Sequence, residues 1–250
     1  NEYRTGELTM KKTIFTRVLL MFICITMIGS LIGPKAQAAV EDTYDWEEAY
    51  RFHDVMVGTR DDAAYGGSQL QQFYYRDAML LANMGGQTAI PELALASVVL
   101  ASAAYNLGNI SSAYEQMGYQ ELFASEYYTK EMFHADMDKV AYTIAKKDVA
   151  WNGEMYEIYI VAVRGTSGNC EWDGNFHVNK DTSYHASFYS AADDVLMQLV
   201  KEFNDSSIHN VDRNHTLLLT TGHSRGAAVA NVVAGRLTEA NGPYISPNNI

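Results

Sequence analysis

The tightest constraint on how this chain can fold lies near its C-terminal end. His215 to Thr221 (HTLLLTT) is a strand-type run with three consecutive leucines at its centre and no charged residue. A strand without polar alternation is buried on both faces, as in a parallel sheet. It passes directly into Gly222-His223-Ser224-Arg225-Gly226 and then into Ala227 to Leu237, where alanines and valines recur at helical spacing. Parallel strands need crossover connections, so such a strand requires others, with helices between them. Glu157 to Val163 (EIYIVAV) and Lys139 to Lys146 (KVAYTIAK) read as further strands, with the hairpin signal Asn152-Gly153 between them. Ser187 to Phe203 reads as an amphipathic helix, with Ala191, Val195, Leu199 and Phe203 at four-residue steps. The pattern predicts an α/β fold with a mostly parallel sheet flanked by helices.

The preceding stretch, 39–137, reads as a helical N-terminal segment. Ser68 to Met84 is expected as one helix stopped by Gly85-Gly86. Pro91 to Asn106 (PELALASVVLASAAYN) has proline at a first-turn position and is apolar nearly all round, which predicts burial. Ser112 to Met117 is expected to end at a left-handed Gly118 cap. No internal repeat and no Pro/Ser-rich linker interrupts the chain.

At the other end, Lys11, Lys12 and Arg17 precede an apolar run from Val18 to Ile32, and Ala36-Gln37-Ala38 follows. A basic start, an apolar stretch and an A-x-A site describe a secretory signal peptide, with cleavage expected after Ala38. The run is shorter than the roughly 20 apolar residues that a membrane anchor requires. Residues 1–9 lie upstream of Met10. The expected location is therefore secreted or extracytoplasmic, with no stable transmembrane segment after cleavage. Removing 1–38 takes away five basic and two acidic residues and leaves 13 basic and 28 acidic, a net charge of −15. That balance argues against a nucleic-acid partner, because phosphate recognition rests on Lys and Arg. Cys24 leaves with the leader, so Cys170 has no partner for an internal disulfide. No His/Cys/Asp/Glu cluster has metal-ligand spacing, so no metal is implied. No cofactor motif is present either.

Gly222-His223-Ser224-Arg225-Gly226 fits G-x-S-x-G, a pentapeptide that means little without its setting. Here it follows a buried strand and opens a helix, as a nucleophile elbow does. A serine on a sharp turn at a strand's carboxyl end exposes its hydroxyl. Flanking glycines leave room for tight backbone packing. The N–H after the serine can bind a developing oxyanion. The competing reading is a helix N-cap serine in an ordinary strand-to-helix turn.

Four ordered blocks resemble the class 3 (fungal-type) lipases of the α/β-hydrolase fold. Ile160 to Thr166 (IVAVRGT) is similar to the family's strand and Arg-Gly-Ser/Thr oxyanion loop. Glu171 to Phe176 (EWDGNF) resembles the Trp-containing block that follows, with its aspartate one position closer to the tryptophan. His185-Ala186-Ser187-Phe188 resembles His-x-Gly-Phe, with serine for glycine. Thr221 to Ala228 (TGHSRGAA) resembles Thr-Gly-His-Ser-Leu-Gly-Gly-Ala, with Arg225 for leucine and Ala227 for glycine. The likeness covers roughly 100 residues, about 138 to 240, and implies a partial lipase-like domain over 138–250.

It implies Ser224 as the nucleophile that forms an acyl-enzyme. The oxyanion donors would be the N–H of Thr166, with its hydroxyl as a further candidate, and the N–H of Arg225. It implies a lid or substrate-facing loop over 167–183, and structural standing for His223 and His185. The fold order places an acid and then a histidine after the serine. Residues 225–250 contain Glu239 as their only acid and no histidine. The domain is therefore expected to be incomplete at the C-terminus, with the triad Asp and His beyond residue 250 and little activity in 1–250 alone. The leading expectation is an exported serine hydrolase acting on carboxylic, lipid-type esters. The alternatives are an α/β-hydrolase acting on a thioester or amide, and a non-catalytic exported binding protein on the same fold. The sequence carries no signal for oligomeric state.

Overall fold

The computed structural model describes residues 52–57, 69–84, 89–167, 169–178, 185–205, 214–238 and 250. The expected leader (1–38), the Gly85-Gly86 stop, His209, Glu239 and residues 168 and 179–183 of the expected substrate-facing loop lie outside them, as does the side chain of Cys170. In chain order the elements are β1 (Phe52–Val57), β2 (Gln69–Tyr74), α1 (Ala78–Leu81), α2 (Pro91–Ala103), α3 (Leu107–Met117), β3 (Gln120–Ala124), β4 (Tyr142–Trp151), β5 (Glu154–Val163), α4 (Asn169–Gly174), α5 (Ala186–Asp205), β6 (Thr216–Gly222) and α6 (Arg225–Thr238).

The main sheet has the order β3-β4-β5-β6. β5 and β6 are parallel, with Val163 opposite Gly222. The pairs β3–β4 and β4–β5 are antiparallel. The described sheet is thus mixed, and its parallel part is the β5–β6 pair joined through the α5 crossover. The β4–β5 hairpin turns at Asn152 (φ 52°) and Gly153 (φ 84°), the two positive-φ positions that a two-residue I′ turn needs.

Alternating side chains of β5 serve two different cores. Ile158, Ile160 and Ala162 pack with Ala145, Leu217 and the α2/α3 residues Val99, Leu100, Ile110 and Ala113. Tyr159, Val161 and Val163 pack on the other side with Ala191, Val195, Leu199 and Phe203 of α5 and with Val229 and Val233 of α6. Because β5 is buried on both faces, it shows no hydrophobic–polar alternation. A helix layer on each face completes an α/β domain.

Where 68–84 was expected as one helix, the chain instead forms β2 and then the single turn α1. Residues 69–72 are exposed, and Phe73 and, just past the strand, Tyr75 are buried. β2 pairs with β1 in an antiparallel hairpin, and tertiary pairing with aromatic residues outweighs local helix preference here. β1 and β3 gave no sequence signal. β3 docks on β4, so the main sheet runs across residue 138. α2 also differs from expectation. Ala96, Val99 and Leu100 are buried, but Leu95 and Val98 are exposed. α3 starts at an Asn106 cap, whose side chain accepts from the Asn109 N–H (3.2 Å). It ends at Gly118 (φ 76°), the left-handed cap expected from sequence.

Candidate active site

Two adjacent parallel strands end side by side, and the candidate residues follow both ends. Arg164-Gly165-Thr166 continue from β5, and His223-Ser224 continue from β6, with Val163 and Gly222 in register. The crevice outside the carboxyl ends of parallel strands is where α/β sheets bind ligands.

Ser224 has φ 55°. A left-handed conformation at a non-glycine residue costs roughly 1–3 kcal/mol and persists only where the surroundings impose it. Here the turn is closed by Gly226 N–H donating to the His223 carbonyl (2.9 Å), and Ala228 N–H donates to the Ser224 carbonyl (3.2 Å). The side chain of Ser224 is left exposed. A Cβ at Gly222 would lie 2.5 Å from the Gly226 carbonyl group, and one at Gly226 would overlap the Val163 carbonyl oxygen. Gly222 is therefore demanded by the tight turn from β6 into α6, and Gly226 by the close approach of α6 to the end of β5.

Thr166 is half-buried beside this turn. Asn175 Nδ2 donates to its Oγ1 (3.0 Å). With its oxygen accepting from Asn175, the Thr166 hydroxyl proton is directed elsewhere, which suits a donor role. Glu171 is buried at 1% exposure, and its carboxylate receives both the Ser167 N–H (2.6 Å) and the Arg164 guanidinium (3.4 Å). The segment after β5 is thereby pinned at both ends. A sequence reading could place Asn175 and Glu171 in a block but not assign these bonds to them.

Arg225 is 2% exposed, and its guanidinium is a strut. Nη1 donates to the Glu171 carbonyl (2.7 Å). Nη2 donates to the carbonyls of Met137 (2.6 Å) and Lys139 (3.1 Å) and to Ser187 Oγ (3.0 Å). Burial lowers its pKa, opposed by the Glu171 and Asp138 carboxylates. An arginine remains charged in any case. Two departures from the lipase pattern, Arg225 for leucine and Ser187 for glycine, thus meet in one hydrogen bond. Anchoring the Arg225 side chain also steadies its backbone N–H.

The described histidines are engaged away from Ser224. His134 Nδ1 meets Asp173 (3.2 Å) and His177 Nδ1 meets Asp138 (3.0 Å). His215 Nε2 meets Glu154 (2.9 Å), and His185 Nε2 meets the Asn175 carbonyl (3.1 Å). His53 packs on Phe73. His223 Nδ1 bonds the Tyr105 hydroxyl (2.8 Å). Tyr105 comes from the α2–α3 connection, and no sequence signal marked it.

An open cleft of about 670 Å³ runs from Gly222 and His223 between α2 and α6, lined by Val98, Tyr105, Ala227 and Asn231 among others. Beyond Thr166, the α4 segment leaves Trp172, Phe176 and Val178 exposed, and Phe133 is exposed on the preceding loop. No helix among the described residues is long and apolar enough to cross a membrane. Residues 160–246 match the family model described as Lipase (class 3). No curated protein and no solved structure matches the chain.

Proposed function

Taking residues 160–246 as class 3 lipase sequence, we propose that this protein is an exported serine hydrolase that cleaves carboxylic esters of lipid type. The observation that carries the reading is Ser224, held exposed at φ 55° between a β-strand and a helix. In this mechanism Ser224 Oγ attacks the ester carbonyl carbon while a histidine base accepts the hydroxyl proton. The carbonyl oxygen gains charge and takes hydrogen bonds from the N–H groups of Thr166 and Arg225 and from the Thr166 hydroxyl. Such donors act because they are aimed in advance, and loss of one typically costs ~10²–10³ in turnover. The tetrahedral intermediate collapses, the base returns the proton to the departing alcohol, and water then hydrolyses the acyl-enzyme. No histidine among the described residues is hydrogen-bonded to Ser224, and this reading leaves the identity of the base open.

A fluorophosphonate probe tests this on the full-length protein. Phosphonylation of Ser224 with loss of fluoride is expected, and Ser224→Ala removes the label. A folded full-length protein that stays unlabelled overturns the reading in favour of a non-catalytic binding protein on the same fold. Export is part of the proposal, supported by the basic, apolar and A-x-A order of 10–38. Edman sequencing of mature protein starting at Ala39 is the expected result, and a retained leader overturns it.

A further inference from the structure

The residue before the nucleophile and the residue before the oxyanion threonine meet at one side chain. Tyr105 Oη bonds His223 Nδ1 (2.8 Å), and His223 precedes Ser224. The same hydroxyl lies so close to Gly165, which precedes Thr166, that a Cβ there would overlap it. That Cβ would also be 2.7 Å from the His223 carbonyl oxygen. Three chain segments thus converge on a single hydroxyl group: the α2–α3 connection, the oxyanion loop and the elbow. The first of them comes from the part of the chain that carries no recognised motif.

Tyr105 is itself held firmly. The connection that bears it is closed by Tyr105 N–H to the Ser102 carbonyl (3.3 Å) and Asn106 N–H to the Ala103 carbonyl (3.0 Å). The Tyr128 hydroxyl donates to the neighbouring Ala104 carbonyl (3.0 Å), and the Arg164 guanidinium lies over the Tyr128 ring (5.4 Å to its centroid). Arg164 directly precedes Gly165, so the oxyanion loop and the tyrosine connection are also tied by this second route. The Tyr105 and His223 rings stand 5.8 Å apart and tilted, so the hydroxyl bond, rather than stacking, joins them.

We propose that Tyr105 is a positioning residue: its hydroxyl, clamped between His223 and Gly165, sets the separation between Ser224 and the Thr166 oxyanion donor. The inference rests on the hydrolase reading for its catalytic consequence. Catalysis of this type is sensitive to small misplacements of groups that never touch substrate. The bond also fixes the orientation of the His223 ring, because Nδ1 must face the tyrosine hydroxyl.

The test uses full-length protein with Tyr105→Phe, His223→Phe and the double variant. Loss of this one hydrogen bond should slow fluorophosphonate labelling of Ser224 by about five- to tenfold. On ester substrate kcat should fall with KM within twofold, which a loss of uniform binding would not produce. The double variant should be no slower than the worse single one, because both remove the same clamp. Labelling by Tyr105→Phe at the wild-type rate, or additive losses, overturns the proposal. A second readout does not depend on activity. The imidazole ¹⁵N signal of His223 Nδ1 is expected to move on Tyr105→Phe as that nitrogen loses its hydrogen-bond partner. Unmoved signals overturn the clamp, whereas moved signals in a protein that never labels sustain the clamp and sink only the hydrolase reading.

Discussion

At the residue scale, the departures from the lipase pattern become intelligible as a pair. The position after Ser224 carries an arginine where the lipase pattern has a leucine, and that arginine is buried. A buried guanidinium must find acceptors, because stranding it would cost several kcal/mol. It finds three carbonyls and the Ser187 hydroxyl, and a glycine at 187 could not provide the last of these. Arg225→Leu is expected to destabilise the fold by about 3 kcal/mol, since it orphans the acceptors it served. Ser187→Gly is expected to cost about 1 kcal/mol. The double variant should cost less than their sum, with a coupling of about 1 kcal/mol, as contacting residues show. Urea unfolding of the four proteins measures the cycle, and strict additivity would contradict the pairing. The two substitutions were visible in the sequence. Their contact was not, because 38 residues separate the positions.

At the element scale, long periodic segments were legible and short paired ones were not. α5 and α6 lie within a few residues of their expected bounds, because an amphipathic or small-residue period survives any tertiary context. β4 and β5 were legible through their β-branched and aromatic content and the Asn152-Gly153 turn. β1, β2 and β3 each have five or six residues and depend on a partner that no local pattern reveals. The short helix α4 exposes Trp172 beside Asp173, and Phe176 and Val178 are exposed just beyond it. If lipid contact runs through this element, Trp172→Ser with Phe176→Ser should lower turnover of an emulsified long-chain ester by about tenfold or more. Hydrolysis of a short soluble ester should change by less than twofold. Equal losses on both substrates would remove α4 from substrate contact.

At the scale of the whole molecule, the sheet divides two cores of different character. The α5/α6 side is mainly aliphatic, whereas the α2/α3 side gathers tyrosines. Tyr75 and Tyr119 share a hydroxyl–hydroxyl bond (2.6 Å), and Tyr119 donates to Asp77 (3.0 Å). Tyr114 bonds Thr143 (2.9 Å). Burial pushes all three phenols well above their ordinary value. Their unfolded pKa is near 10 and the folded values are higher, so their contribution is complete below about pH 10. Above that, the unfolded chain loses these protons first, and stability falls by up to about 1.4 kcal/mol per pH unit for each tyrosine. Urea midpoints from pH 8 to 11.5 should stay level and then drop, and Tyr114→Phe should shallow the drop. A midpoint that rises above pH 10 would contradict it.

What the sequence determined by itself was the strand, turn and helix around Ser224: a leucine-centred strand, glycines on either side of a serine, and small residues behind it. Those are local requirements, and local requirements leave a local trace. Only the tertiary structure decided how the turn is held in place. The left-handed Ser224, the Arg225–Ser187 bond, the Asn175–Thr166 bond and the Tyr105 clamp join segments from 9 to 118 residues apart. Contacts at such separations depend on which strands lie side by side, and a linear pattern holds no record of that adjacency.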